Sequence, residues 1–193
     1  SLNNIWDNKN LKYKDYKNLN SFFWLFSLDL KSSKKDTQNI ILQWIDKNHK
    51  YYSKSWEVDI VAKRIISWIS NSKLTYEDSS TEYKNKFNNI VKKQINHLIN
   101  EIERSERVDS RMISCAAIIL TGLTYQDKDG YLKTGLNLLR KLVKLSFDND
   151  GFPKSRSIKQ LSLYLKYFIL IREWLKESQS EIPDFINENI YYL

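Results

Sequence analysis

The sequence has few residues that break helices or cross-link a chain. It holds only four glycines and two prolines in 193 residues. A sheet protein with many tight turns needs more of both, so this scarcity argues against an all-β fold and predicts long helices. With one cysteine, Cys115, the chain can form neither an internal disulfide nor a cysteine-rich zinc site. The apolar residues around it, 112–123, predict a buried and unreactive thiol.

Histidine is also scarce, and the common catalytic signatures are missing. His49 and His97 lie far apart, and neither has a second metal ligand at helical spacing, so we expect no metal site in this chain. His97 lies off the apolar stripe of its predicted helix, and we expect it to be solvated. The sequence contains no glycine-rich phosphate loop, no Gly-x-Ser-x-Gly and no His-Glu-x-x-His.

Basic residues outnumber acidic ones, which gives a net charge of +8 and an isoelectric point near 9.3. Such a balance suits nucleic acid, anionic lipid or an acidic polysaccharide. The alternative is compositional, because Lys, Asn and Ile are abundant throughout, as an AT-biased genome encodes. The aromatic residues follow the apolar stripes and do not alternate with lysine, and this disfavours nucleic acid as the partner.

No stretch is apolar enough to predict a membrane span, and no secretory signal is visible. The most apolar run, 161–175, is interrupted by Lys166, Arg172 and Glu173, so we expect no membrane partner. The chain begins with serine and ends on the apolar Tyr191, Tyr192 and Leu193, which leads us to expect a piece of a longer protein. The compartment is left open.

Hydrophobic periodicity predicts an all-α fold of seven or eight helices. We expect them at about 22–30, 37–47, 56–69, 81–104, 110–125, from 127, at 157–176 and from Pro183. The candidate N-caps are Asp36 or Thr37, Ser55, Asp109 or Ser110, and Ser155 or Ser157. Short connections predict antiparallel neighbours, which fits a plain bundle or an incomplete α/α toroid. Residues 1–20 are polar and weakly periodic, so we expect a loosely ordered arm before one helical domain at 21–193.

Three segments resemble the N-terminal helical domain of the heparinase II/III-like polysaccharide lyases. The first is 55–69, where Trp56, Ile60, Arg64 and Trp68 recur every four residues along one helix face. The second is 107–123. The third, 138–157, is a leucine-rich helix followed by Asp-Gly-Phe-Pro-Lys-Ser-Arg-Ser, similar to the family's Asp-Gly-Gly-x-x-x-Arg. The order and spacing of the segments carry the resemblance over about 25–190, nearly the whole chain.

The resemblance implies an incomplete α/α toroid followed by a β-sandwich, which would lie outside this chain. Its members cleave uronate-containing polysaccharides by β-elimination. They carry an Asn-His pair thirteen residues before a glycine, and counting back from Gly122 gives Asp109 and Ser110, which cannot replace that pair. The resemblance is therefore to a divergent bacterial branch. We expect no cofactor in this chain, whereas a metal on the sandwich would be compatible with the family.

Elimination beside a carboxylate needs a cation or amide to neutralise that carboxylate, together with a base and an acid. The candidate substrate contacts are Arg64, Arg111, Arg156, Tyr51, Tyr52 and His49.

Each candidate also has a structural alternative. Arg156 can instead pair with Asp148 or Asp150, Arg111 can pair with Asp109, and Arg64 can stack between Trp56 and Trp68. The tyrosines can stack on sugars or pack internally, and His49 can reach a cleft or stay in an exposed loop.

The expected function is that of a substrate-groove domain for an acidic polysaccharide, working with a β-sandwich of the same protein and inactive as an isolated fragment. A non-catalytic helical scaffold or binding domain is the alternative. A basic nucleic-acid-binding domain is a third interpretation.

Overall fold

The structure is a computed structural model that describes residues 5–6, 10–29, 31–51, 54–126, 130–148 and 152–192. Within these ranges it is all-α, which confirms the predicted fold class: the regular elements are helices, and there is no strand. Apart from short 3-10 segments, the helices are α1 (Tyr13–Asn20), α2 (Lys34–Asn48), α3 (Val58–Ser70), α4 (Ser72–Thr75), α5 (Thr81–Glu101), α6 (Val108–Thr124), α7 (Tyr131–Ser146), α8 (Ile158–Glu177) and α9 (Asp184–Tyr192). None of these helices combines the length and the apolar character that crossing a bilayer requires.

The chain divides into two compact units, Ser1–Leu98 (unit 1) and Ile99–Leu193 (unit 2). The boundary falls near the end of α5, inside the stretch 21–193 that the sequence suggests as one domain. Helix α1 lies within the stretch 1–20 expected as a loose arm. Lys17 anchors this helix to the start of α3, because its Nζ lies 3.0 Å from the Asp59 carboxylate and 3.3 Å from that of Glu57.

Several predicted helix starts are wrong in detail. The segment at 22–30 forms a short 3-10 helix, Phe23–Ser27, which begins after Phe22, a residue whose left-handed backbone (φ 54°) excludes it from a helix. Ser33 caps α2, accepting a hydrogen bond from the Asp36 amide at 3.1 Å, so neither Asp36 nor Thr37 is the cap. Ser157 caps α8 as predicted, accepting from the Gln160 amide. The predicted start at Asp127 lies outside the described residues, and α7 begins after Gly130.

The core of unit 1 is a cluster of large aromatic rings. Phe22, Trp44 and Trp68 are fully buried, and their ring centroids lie 5.2–6.3 Å apart at steep angles. Phe87 of α5 adds a further ring 5.3 Å from Trp68. Burying such side chains contributes roughly 1.5–3 kcal/mol each, so this cluster is the main apolar support of unit 1.

The core of unit 2 surrounds α6, which is apolar on nearly all sides and packs against α7 and α8. The two helices α6 and α7 approach closely at Gly122. A Cβ atom at this position would lie 2.3 Å from the Leu132 backbone nitrogen. Only glycine therefore fits at this crossing.

Candidate functional site

The residues predicted as a site are divided between the two units. Unit 1 holds His49, Tyr51 and Arg64, whereas unit 2 holds Asp109, Ser110, Arg111 and Arg156. Tyr52 lies outside the described residues.

Arg64 is enclosed in the core of unit 1 and has no exposed surface. Its Nε donates to the Gln94 Oε1 at 2.7 Å, and its Nη1 donates to the Asn20 carbonyl at 2.8 Å. Both Nη1 and Nη2 donate to the Ser55 carbonyl at 3.1 Å. The guanidinium carbon lies 3.8 Å from the centroid of the Trp44 ring. Arg64 thus ties several elements of unit 1 together.

The structural interpretation of Arg64 is the one that its burial favours. Its nearest ring is Trp44, and the Trp68 ring centroid lies 6.0 Å from the guanidinium carbon. Of the two predicted partners, Trp68 is therefore confirmed, whereas Trp44 takes the place of Trp56. Burial lowers the pKa of the guanidinium well below its usual value. A polysaccharide contact needs an exposed cation, and Arg64 does not provide one in this conformation.

Ser55 explains why the helix after it begins later than predicted. Its carbonyl is taken by Arg64, and its hydroxyl donates to the Asn48 side-chain oxygen at 3.0 Å. Ser55 therefore does not cap the helix as the sequence suggests, and α3 starts after Glu57 without a side-chain cap.

Tyr51 and three neighbours form a half-exposed aromatic surface on unit 1, called here the Tyr51 cluster: Tyr51, Trp56, Lys93 and His97. The Tyr51 ring centroid lies 4.7 Å from that of Trp56 and 5.5 Å from that of His97. The Lys93 ammonium lies 4.4 Å from the Tyr51 centroid and 5.7 Å from that of Trp56. Trp56 is buried and Tyr51 is 45% exposed. The Tyr51 ring therefore packs on Trp56 on one side and is accessible to solvent elsewhere.

His97 is part of this support, and the prediction that it is solvated is wrong. The side chain is half-buried, and its Nε2 lies 2.8 Å from the Trp56 carbonyl oxygen. A carbonyl can only accept, so Nε2 carries the hydrogen and Nδ1 is left for a proton or a donor. The apolar stripe of α5 did not reveal this role, because the partner of His97 comes from a different part of the chain.

His49 ends α2 beside the cluster and is exposed, as the loop interpretation expects. Its Nδ1 lies 3.0 Å from the Asp46 carbonyl oxygen, and its own carbonyl accepts a hydrogen bond from the Lys93 ammonium. This bond holds Lys93 over the Tyr51 ring. His49 therefore acts on the cluster through its backbone.

The surroundings of the Tyr51 cluster are basic. Lys50 and Lys54 are exposed beside it in sequence, and neither makes an ion pair with a described residue. Unit 1 carries 17 Lys and Arg against 10 Asp and Glu, whereas unit 2 carries 14 against 13. Nearly all the net positive charge of the chain thus belongs to the unit that contains the cluster, and this favours anionic ligands there.

At the position matched to the family's Asn-His pair, Asp109 has a side-chain partner and Ser110 is buried. The Asp109 carboxylate accepts from Gln160 Nε2 at 2.9 Å, and the Gln160 Oε1 accepts from Ser155 at 2.5 Å. Ser110 is buried, and its carbonyl accepts from Ser114. The bond between Asp109 and Gln160 joins the start of α6 to the start of α8.

Arg111 does not pair with Asp109, so that alternative is wrong. Its Nε donates to the Ser105 carbonyl at 2.6 Å, and its Nη2 donates to the Glu103 carbonyl at 3.0 Å. Both partners are neutral backbone oxygens. The guanidinium is half-buried and lies beside a cavity in unit 2.

Arg156 pairs with Asp148, which confirms one of its two predicted partners. The Nη2 to Oδ2 distance is 2.6 Å, and the arginine side chain is 63% exposed. Its backbone is left-handed (φ 54°), and its guanidinium lies 5.7 Å from the Phe152 ring centroid. Asp150 lies outside the described residues. The pair closes the turn between α7 and α8.

Comparison with protein-family models, with curated proteins and with solved structures gives no match to this chain. Among the residues that the structure describes, no three His, Cys, Asp or Glu side chains are grouped so that they could hold a metal ion.

Proposed function

We propose that this chain is a helical domain that binds an acidic polysaccharide through the Tyr51 cluster. The observation that carries the proposal is the Lys93 ammonium, which lies over a half-exposed tyrosine ring and pairs with no carboxylate among the residues that the structure describes. Aromatic side chains offer an apolar face to a sugar ring, and an ammonium beside that face attracts the carboxylate of a uronate. The excess of basic residues in unit 1 adds long-range attraction.

Binding is better supported than catalysis. A tyrosine that serves as the base in β-elimination needs a lowered pKa, whereas partial burial raises the pKa of Tyr51. In unit 2, the Asp109 carboxylate is engaged by Gln160. A lyase activity would therefore need further groups, such as those of the β-sandwich that the resemblance implies.

The incomplete α/α toroid and its antiparallel helix pairs are the finer part of the same proposal. Packing of α6 against α7 and α8, and of α8 against α9, supports helix pairs within unit 2. An open arrangement of such pairs would leave room for a long, unbranched polymer.

The binding proposal predicts that the chain binds polygalacturonate in preference to dextran, and that Tyr51→Ala lowers this affinity about tenfold, because a stacking surface is lost. Tyr51→Phe keeps the ring and is expected to keep most of the affinity. Isothermal titration calorimetry at two salt concentrations measures both, with circular dichroism confirming that each variant is folded.

A second pair of variants tests the charge. Lys93→Gln is expected to weaken binding about fivefold and to reduce its salt dependence. Lys73→Gln removes an exposed lysine of unit 1 away from the cluster and is expected to change affinity less than twofold, roughly the cost of one screened charge. Equal effects of the two variants would contradict the proposed site. Stronger, salt-dependent binding to duplex DNA would favour the nucleic-acid interpretation.

A non-catalytic scaffold is the second candidate function. The observation that favours it is the exposed pair Phe23 and Phe26, whose ring centroids lie 5.2 Å apart and whose exposed fractions are 37% and 48%. A chain that binds none of the glycans and no DNA would support this candidate.

A further inference from the structure

A cavity of about 240 Å³ in unit 2 has an apolar wall and a charged mouth. Helix α7 contributes Leu138, Leu142 and Leu145, which recur at the i, i+4, i+7 spacing of one helix face. Ile102 and Cys115 line the cavity as well, and both are buried. Leu145 is 56% exposed, so this leucine marks the open side.

The three charged side chains at the cavity carry one net positive charge. Lys141 binds the Glu103 carboxylate and, as the main cause, lowers the pKa of that group. Arg111 uses two of its nitrogens on the backbone carbonyls of Ser105 and Glu103, which leaves its charge without a bonded carboxylate in the described chain. A guanidinium in this position prefers a carboxylate or phosphate as its further partner.

We propose that this cavity binds a small amphipathic carboxylate, whose apolar tail lies among the α7 leucines and whose carboxylate meets Arg111. A closed apolar cavity of about 150 Å³ accepts benzene, so this larger, open one suits a tail of about six to eight carbons. Such pockets typically combine an apolar lining with a few polar groups that orient the ligand. The site belongs to unit 2 and is independent of the Tyr51 cluster, so either proposal can fail without the other.

The first experiment compares three ligands on the full chain by isothermal titration calorimetry. Octanoate carries both the tail and the charge, 1-octanol carries the same tail without the charge, and acetate carries the charge with almost no tail. Octanoate is expected to bind about tenfold more tightly than 1-octanol, which is the typical gain from one charge-assisted hydrogen bond, and acetate is expected not to bind. Methyl signals of Leu138, Leu142 and Leu145 in nuclear magnetic resonance spectra identify the site.

Two substitutions at the exposed Leu145 test the charge without disturbing the core. Leu145→Glu places a negative charge at the mouth and is expected to weaken octanoate binding several-fold, whereas Leu145→Lys is expected to strengthen it. Lys176→Glu, in the last turn of α8, makes a charge change of the same sign away from the cavity and is expected to leave octanoate affinity unchanged. Arg111→Gln is expected to abolish the preference for octanoate over 1-octanol.

Equal binding of octanoate and 1-octanol would overturn the proposal, as would octanoate binding that ignores both Leu145 substitutions. Absence of octanoate binding to the folded chain would overturn it as well. If Arg111→Gln fails to fold, the octanoate affinities of Leu145→Glu and Leu145→Lys still test the proposal, because both variants change only an exposed side chain.

Discussion

Replacing Arg64 by methionine is expected to lower the free energy of unfolding of unit 1 by about 3–5 kcal/mol. The substitution removes the hydrogen bonds that Arg64 donates to the buried Gln94 side-chain oxygen and to the carbonyls of Asn20 and Ser55. Removing a buried charge relieves some desolvation cost, but the loss of these hydrogen bonds, at roughly 1–3 kcal/mol for each buried acceptor, outweighs that relief. The loss of the Trp44 contact adds to the effect.

Urea denaturation followed by tryptophan fluorescence measures this change. Five of the six tryptophans lie in unit 1, so the signal follows the unit in which the substitution is made: Trp6, Trp24, Trp44, Trp56 and Trp68. Adding Gln94→Leu to Arg64→Met removes one orphaned acceptor and is expected to restore about 1 kcal/mol.

A matched control uses an exposed basic residue of the same unit. Lys86 is 44% exposed and pairs with Glu82 on the surface of α5, so Lys86→Met is expected to change the stability of unit 1 by less than about 0.5 kcal/mol. If Arg64→Met were as mild as Lys86→Met, the buried guanidinium would not be holding unit 1 together.

Replacing Gly122 by alanine is expected to destabilise unit 2 by about 3 kcal/mol or more. The added Cβ would meet the Leu132 backbone nitrogen at 2.3 Å, its Cα at 2.7 Å and its Cβ at 2.8 Å. Backbone atoms cannot rotate away, so α6 and α7 would have to separate. Their separation would expose the apolar side chains that α6 buries.

The thiol of Cys115 provides the measurement for unit 2. Cys115 lies in the wall of the unit 2 cavity with no exposed surface, and burial raises its pKa to about 12, so an alkylating reagent near pH 8 reacts slowly until the unit opens. Gly122→Ala is expected to raise the alkylation rate at least tenfold, even if the free energy of the opening that exposes Cys115 falls by only part of the lost stability.

Gly130→Ala is the matched control for Gly122→Ala. No atom lies within 4 Å of an added Cβ at Gly130, and the cost there is only that of a left-handed backbone (φ 71°), about 1–2 kcal/mol. Equal alkylation rates in the two variants would contradict a steric contact at Gly122.

The helices were predictable where apolar residues recur at helical spacing. They were less predictable where a contact of one side chain with a distant part of the chain determines the structure. The stripe of α5 and the apolar circumference of α6 give their helices directly, within a few residues of the observed bounds. Helix α1 has a weak stripe, and its contact with α3 through Lys17 joins residues far apart in sequence. The same limit applies at Phe22, whose buried ring and left-handed backbone leave no trace in the apolar pattern.

Only the residues of the candidate site that lie close together in sequence could be predicted. His49 and Tyr51 lie close together in sequence, before the tryptophan helix, and the sequence predicts both as loop residues that could contact a substrate. Lys93 and His97 reach the cluster from α5, and periodicity assigns them only to the polar side of that helix. Burial of Arg64 needs the aromatic core around it, which no local pattern specifies.

The close crossing of α6 and α7 also limits which substitutions homologues of this chain can accept at the glycines of the crossing. At Gly135 an added Cβ would meet the Ile119 Cγ1 atom at 2.7 Å and the Ile119 backbone nitrogen at 3.0 Å, so a smaller residue at 119 removes the closest contact and leaves a tight one. At Gly122 the closest obstacle is backbone at 2.3 Å, and no earlier change of the Leu132 side chain removes it. Homologues that keep this crossing are thus expected to retain glycine at position 122 more strictly than glycine at position 135.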